Sequence, residues 1–260
     1  MGERKRVALV LGGGGAMGCA HIGVIKVLEK YGVPIDIVVG TSMGGVVGAA
    51  YCVGMSTKEM IEFATKFKTL DFVDINFDKT GLFSGKGVMK TINKFLPEIN
   101  IENLNKEFAC VAGDLKTEKE VVFKIGPIRD AVRSTLSIPG IFVPYKYNDM
   151  LLVDGGVINN LPEDVAMEMG ADIIISCDVI SNFRVKTKPK GTIDTLFLSM
   201  NMAMKEIQKH RSCHADVVIR PQLPNMNPLS FGKEKVIFAI KRGEKAALKE
   251  IENIIKLLKH

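Results

Sequence analysis

The stretch from Ile35 to Gly54, IDIVVGTSMGGVVGAAYCVG, constrains the chain more than any other. A β-branched run ends at Gly40, and Gly40-Thr41-Ser42-Met43-Gly44 fits G-x-S-x-G. A helical stretch of small residues follows, with Gly45, Gly48, Ala49 and Ala50. Strand, sharp turn and helix in that order are the setting of a nucleophile elbow. Such a turn strains the backbone at the serine and brings strand against helix, so its neighbours must be small. It presents Ser42 Oγ at a helix N-terminus, where free N–H groups and the helix dipole favour developing negative charge. Taken alone, the pentapeptide also fits a glycine-rich turn with an incidental serine.

A second glycine-rich turn lies upstream. The apolar run from Val7 to Leu11 predicts a buried strand that opens into Gly12-Gly13-Gly14-Gly15-Ala16-Met17-Gly18. A helix is expected from about Cys19 to Tyr31, with Gly32 closing it and Pro34 just beyond. The second strand, Ile35 to Val39, then leads to Ser42. Two strands joined by a helix form a right-handed βαβ unit, so both glycine turns fall at the carboxyl end of one parallel sheet, where ligands bind. Gly13-x-Gly15-x-x-Gly18 also matches a dinucleotide fingerprint. That reading wants an acidic residue at the end of the second strand, whereas Asp36 stands at its start. The alternative is that the loop's N–H groups form an oxyanion hole beside Ser42.

Further along, helix is expected over Lys58 to Phe67, a loop over Thr80 to Lys86, and strands over Glu107 to Leu115 and Glu120 to Ile125. A helix should follow Pro127 as far as Thr135. Strand Met150 to Val153, helix Leu161 to Gly170, strand Asp172 to Cys177 and a Met-rich helix Ile193 to His210 complete the middle. That last helix reads as core packing rather than a binding face. Residues 181–191 are basic and read as an exposed connection, and Lys233 to His260 as an amphipathic helix interrupted near Gly243. Gly81 to Gly87 resembles a phosphate loop but misses its spacing. Apolar residues make up 47% of the 260, enough to fill a core, and no repeat or linker divides them. A single domain over 1–260 is therefore expected, with a core over about 7–178 and a helical part over about 190–260.

The charge is mild, +6, with no basic cluster interleaved with aromatics, so nucleic acid is not an expected partner. The five cysteines, Cys19, Cys52, Cys110, Cys177 and Cys213, include no C-x-x-C and read as reduced thiols of a cytoplasmic protein. No segment reaches the ~18 apolar residues of a membrane span, and the apolar run after Arg4, Lys5 and Arg6 is too short for a secretion signal. Six of the thirteen phenylalanines, Phe63, Phe67, Phe72, Phe77, Phe83 and Phe95, fall in one region. They suit an apolar cap over the site or core packing.

A serine hydroxyl needs a base. His21 is close in sequence to the glycine loop. His210 and His214 have helical metal-ligand spacing, but no motif supplies a third ligand. Ser42, Asp154 and His210 or His214 stand in the order of an α/β-hydrolase triad. Asp154 ends an apolar strand and is followed by two glycines, so a direct Ser–Asp dyad and a plain Asp-Gly-Gly turn both fit.

Four segments together resemble a known family: GGGGAMG at Gly12–Gly18 followed by AHIGV, GTSMGG at Gly40–Gly45, SIPGIFVP at Ser137–Pro144 and DGGVINNLP at Asp154–Pro162. They stand in the order found in bacterial patatin-like phospholipases. The resemblance implies an α/β fold of three layers, α/β/α, with a mostly parallel central sheet. It also implies a Ser42–Asp154 dyad, an oxyanion hole from Gly13, Gly14 and Gly15, and hydrolysis of lipid acyl esters with no metal or cofactor. Phospholipid or lysophospholipid is the implied substrate, and reversible attachment to an anionic membrane surface follows. A homo-oligomer is left open. Met17 departs from the family's pattern, which usually has Arg or Lys before the last glycine of the first motif.

Overall fold

The computed structural model describes residues 4–74, 76, 79–182, 189, 191–211, 214–229 and 231–259. Phe77, Cys213, His260 and most of the basic connection lie outside these residues.

In chain order the elements are β1 (Val7–Leu11), α1 (Ala20–Lys30), β2 (Ile37–Thr41), α2 (Met43–Cys52), α3 (Thr57–Lys66), β3 (Gly81–Phe83) and α4 (Lys86–Phe95). Next come β4 (Glu107–Asp114), β5 (Lys119–Phe123), α5 (Ile128–Thr135), β6 (Gly140–Phe142), β7 (Tyr145–Tyr147) and β8 (Met150–Asp154). The chain continues through α6 (Glu163–Glu168), β9 (Ile173–Cys177), α7 (Thr192–His210), β10 (Val217–Ile219) and α8 (Lys233–Lys259). The main sheet has eight strands in the order β10-β9-β1-β2-β4-β8-β7, with β5 also on β4. From β10 to β4 the strands are parallel; β5, β7 and β8 join antiparallel.

Alternation along the strands explains the layers. Val7, Leu9 and Leu11 point into the large core under α1, α2 and α8, while Ala8 and Val10 point to a smaller one with Leu161, Val165 and Ala166 of the α6 segment. A parallel sheet covered on both faces needs apolar residues at every position, and all five residues of β1 are fully buried. The chain therefore forms the expected three layers, α/β/α, around a mixed sheet.

The register on β4 positions the site. Residues Cys110 and Val111 pair with both β2 and β5, so those two strands lie on opposite edges of β4. Ala112 to Asp114 pair with both β5 and β8, so β8 must lie on the edge that β2 uses. Strands β2 and β8 thus run toward each other along one edge. Thr41 faces Val111, and Asp154 faces the next residue, Ala112.

Several expectations change. β2 starts at Ile37 rather than Ile35, because the Asp36 carboxylate takes up the Val7 amide and Arg4. α6 is shorter than Leu161 to Gly170. The expected loop Thr80 to Lys86 contains β3, paired parallel to β6. It has no phosphate-loop geometry to offer: the Asp74 carboxylate already accepts the amides of Ser84 (2.5 Å) and Gly87 (2.8 Å). α7 packs on the core through half-buried Phe197 and Met204, but among its residues only Asn201 is fully buried, and Ile193, Leu196 and Met202 are exposed.

α8 is continuous through Gly243. The glycine is there for close approach, not for a break. A β-carbon at Gly243 would lie 1.9 Å from Ala20 O, and one at Gly23 would lie 2.0 Å from Ile240 O. The two helices therefore cross backbone to backbone, with Lys26 and Glu244 paired beside the crossing at 2.7 Å. Gly243→Ala gains about 0.5–1 kcal/mol of helix propensity but overpacks the crossing, at a cost of about 1–3 kcal/mol. The expected result is a lower melting temperature by circular dichroism; an unchanged or higher one would refute the close crossing.

Candidate active site

Ser42 sits between the end of β2 and the start of α2 with φ 54° and ψ −125°. A non-glycine residue there costs on the order of 1–3 kcal/mol and persists only where its surroundings over-determine it. The surroundings are specific. A β-carbon on Gly44 would lie 1.9 Å from Leu11 O, so α2 packs this closely on β1 only with glycine. The Ser42 amide donates to Thr135 Oγ1 at 2.7 Å, and Thr135 Oγ1 donates onward to Val111 O at 2.5 Å. Thr41 Oγ1 donates to Asn159 O.

Asp154 meets Ser42 because β8 abuts β2 on β4. Ser42 Oγ donates to Asp154 Oδ2 at 2.6 Å, joining residues 112 apart in sequence, and the Gly156 amide donates to Oδ1 at 2.8 Å. The Asp154 amide donates to Ser137 O. One short segment, Thr135 to Ser137, therefore holds the backbone of both partners. Arg133 braces that segment, donating from Nη1 to Ser137 Oγ at 2.6 Å. Arg133 is buried, and among the described residues no carboxylate comes within ion-pair distance; the rings of Phe142 and Tyr145 lie against its guanidinium instead. Burial pushes its pKa down to about 10.

Asp154 is 4% exposed. Desolvation pushes its carboxyl up to about 6, against the opposing effects of the Ser42 and Gly156 hydrogen bonds. The carboxylate is thus a stronger base than a free aspartate, yet still ionised at neutral pH.

The glycine loop runs beside this pair. A β-carbon on Gly13 would lie 3.1 Å from Ser42 Cβ and 2.5 Å from Asn160 Oδ1. The Gly13 amide is engaged with Asn160 O at 3.1 Å, and the Ala16 amide with Pro228 O at 2.7 Å. Of the three glycines read as oxyanion donors, this leaves the amides of Gly14 and Gly15 as candidates. His21 is no base here. It is fully buried, its Nε2–H donates to Gly12 O at 2.8 Å, and burial pushes its pKa down to about 4. It is a neutral strut for the loop. Met17, where a basic residue was the expected pattern, is fully buried.

The other histidines stand apart. Among the described residues no histidine side chain hydrogen-bonds to Ser42 or Asp154, which bond to each other, to Gly156 and to the Thr135–Ser137 segment. His210 is exposed and faces Glu206 of its own helix, and the His214 amide donates to Glu163. α7 ends at His210, so the pair shares no helical face. Asp36 lies at the amino end of β2, the opposite end of the strands from the glycine loop, and is paired with Arg4, which removes the acidic partner that a dinucleotide site requires. Thr135, Arg133 and Asn160 were not singled out in the sequence. Their signal was the two motifs SIPG and DGGVINNLP, which they flank or belong to.

Together these features define a class: an α/β/α protein with a strained serine elbow, a buried carboxylate on the serine and a glycine loop alongside. The patatin-like phospholipase family matches residues 9–167, and the chain belongs to that family. It is 38% identical over 181 residues to human patatin-like phospholipase domain-containing protein 6, covering 66% of this chain and 13% of that protein. It is 36% identical over 262 residues to the rat domain-containing protein 7, covering 87% of this chain and 19% of that one. An uncharacterised NTE family protein of Mycobacterium bovis is 35% identical over 177 residues, 66% of this chain and 48% of that protein. The chain thus spans a minor part of these relatives. Among solved structures, VipD from Legionella pneumophila has a TM-score of 0.56 at 15% identity, covering 97% of this chain and 67% of VipD. Human GIVD cytosolic phospholipase A2 has a TM-score of 0.56 at 12% identity, with coverages of 98% and 58%. Both share the fold.

The raised pKa of Asp154 has a signed consequence for stability. The folded value, about 6, exceeds the unfolded ~3.9. The folded state therefore binds the proton more tightly, and the stability this confers is present below ~4 and lost as pH rises through about 6. Asp154→Asn, which carries no charge to desolvate, should gain in melting temperature relative to wild type between pH 5 and 8. A gap that shrinks over that range would contradict the assignment.

Proposed function

We propose that this chain is a serine hydrolase of lipid acyl esters, working through Ser42 and Asp154 without a metal or cofactor. The observation that carries this is the 2.6 Å bond from a strained serine to a buried carboxylate, placed on the floor of an apolar cavity. The cavity, of about 170 Å³, is lined around Ser42 by Met43, Leu136, Ile138, Ile141 and Phe142. Apolar walls suit an acyl chain and give no hold on a polar substrate.

In this reading Ser42 Oγ attacks the ester carbonyl carbon while its proton passes to Asp154 Oδ2. The Gly14 and Gly15 amides receive the oxyanion, with the positive end of α2 nearby. The tetrahedral adduct collapses, the ester C–O bond breaks, and Asp154 returns the proton to the leaving alkoxide. A water then attacks the acyl-serine, giving its proton to Asp154. The second collapse breaks the Ser42 ester bond, restores the proton to Ser42 Oγ and releases the fatty acid. Phospholipid and lysophospholipid esters are the proposed substrates. The fold neighbour GIVD cytosolic phospholipase A2, seen in complex with methyl γ-linolenyl fluorophosphonate, supports that class.

Ser42→Ala should abolish hydrolysis of a p-nitrophenyl ester and labelling by a fluorophosphonate, with the fold intact by circular dichroism. Asp154→Asn should lower turnover by about 10³ or more, while His210→Ala and His214→Ala keep most of it. Full activity without Ser42 would end the proposal, and collapse in either histidine variant would favour a triad.

A lipid substrate implies a membrane surface, and the mouth of the cavity has a suitable face. Leu70, Val73 and Leu82 are exposed, with Lys79 and Lys86 also exposed close by in sequence. Phe72 and Phe83 are half-buried ring contacts of Phe142 rather than free anchors. No helix among the described residues is long and apolar enough to cross a membrane, so attachment through this face would be peripheral. Each basic residue near an anionic surface contributes about 1 kcal/mol, screened by salt. Vesicles containing phosphatidylserine should sediment the protein at low salt and release it at high salt. Leu70→Ser with Leu82→Ser should weaken binding several-fold without lowering the melting temperature. Unchanged binding would remove this face from the proposal.

A further inference from the structure

Behind the cavity at Ser42 lies a second one, of about 80 Å³, set between α2, α3 and α4. The two share five wall residues: Met43, Phe72, Val88, Leu136 and Phe231. They are therefore neighbouring chambers with a common partition. Two of these five are aromatic, and Phe67, which lines the inner chamber and not the front one, packs on both. Phe72 packs its ring 4.4 Å from Phe67 and 5.8 Å from Phe231, and Phe67 lies 5.4 Å from Phe231. Phe63 and Phe95, whose rings are 4.9 Å apart, line the inner chamber and not the front one. Thr91 is the one residue with a polar side chain among the inner chamber's lining apart from Cys19.

Its walls are apolar but for Thr91 and Cys19, so they offer water few hydrogen-bond partners. Methylene groups are the occupant that its walls favour. A chain whose carbonyl is at Ser42 reaches this space past Phe72 and Phe231, which line both cavities, with Phe67 on the inner side of them.

We propose that the inner chamber receives the methyl end of a long fatty-acyl chain, so that Phe67, Phe72 and Phe231 divide short acyl esters from long ones. This rests on the serine-hydrolase reading of Ser42. Chains that end in the front cavity gain nothing from the inner chamber. Chains that pass the partition gain burial for each further methylene, until the chamber is full. Selectivity is thus set by residues with no part in bond breaking.

The test compares kcat/KM for p-nitrophenyl butyrate, octanoate, dodecanoate and palmitate in wild type and two variants. Ala64 lines the inner chamber alone. Ala64→Phe fills it, and the dodecanoate-to-butyrate ratio should fall by about ten-fold or more, as expected for losing two or more buried methylenes. Phe63→Leu enlarges the chamber, and the ratio of palmitate to dodecanoate should rise. Melting temperatures establish that each variant is folded; Ala64→Leu, a smaller filling, replaces Ala64→Phe if that chain does not fold. Ratios that stay at wild-type values in folded variants, with butyrate still hydrolysed in a Ser42-dependent way, overturn the chamber and leave the hydrolase standing. Loss of all Ser42-dependent hydrolysis and of fluorophosphonate labelling in wild type overturns both.

Discussion

The structure depends on two strands meeting end to end on one edge of β4. β2 arrives in parallel and stops opposite Val111; β8 arrives antiparallel and stops opposite Ala112. A nucleophile elbow and a carboxylate turn therefore leave the sheet at adjacent rungs. The bond from Ser42 to Asp154 is a consequence of that ladder. It needs no flexible loop to bring the two together. Moving either strand by one residue would turn its side chains to the other face of the sheet and separate the pair.

The strain at Ser42 is held from three sides. α2 lies against β1 at a distance that only Gly44 permits, Thr135 takes the Ser42 amide, and Ser137 takes the Asp154 amide. α5 is thus a third support delivered from outside the ladder, and the buried Arg133 stiffens its end. An arginine without a carboxylate partner is costly to bury. Here aromatic rings and hydroxyl and carbonyl oxygens surround it, so its role is to organise the turn, not to form an ion pair.

Burial links the fold to the proposed chemistry. Ser42 lines the apolar cavity, and its partner Asp154 is buried behind it, where desolvation raises its basicity. In the proposed mechanism that raised basicity is what suits Asp154 to take the Ser42 proton near neutral pH. The glycine loop is braced by other buried groups, His21 beneath Gly12 and Asn160 against Gly13.

Much of this was legible in the sequence. Apolar runs marked β1, β2 and β9, because a buried parallel strand must be apolar throughout, and glycines after β1 and β8 marked the tight turns. The motif order pointed to the family and to Ser42 and Asp154. What the sequence left open was which partner Ser42 would have, since Asp154, His210 and His214 all stood in a plausible order. Only the register on β4 decided that, because pairing between distant strands is not encoded in local spacing. Tertiary packing also decided that Gly243 marks a helix crossing, that α7 meets the core only along one side through Phe197 and Met204, and that Thr80 to Lys86 contains a strand. In each case the local pattern was compatible with two states, and contacts made by residues far along the chain selected one.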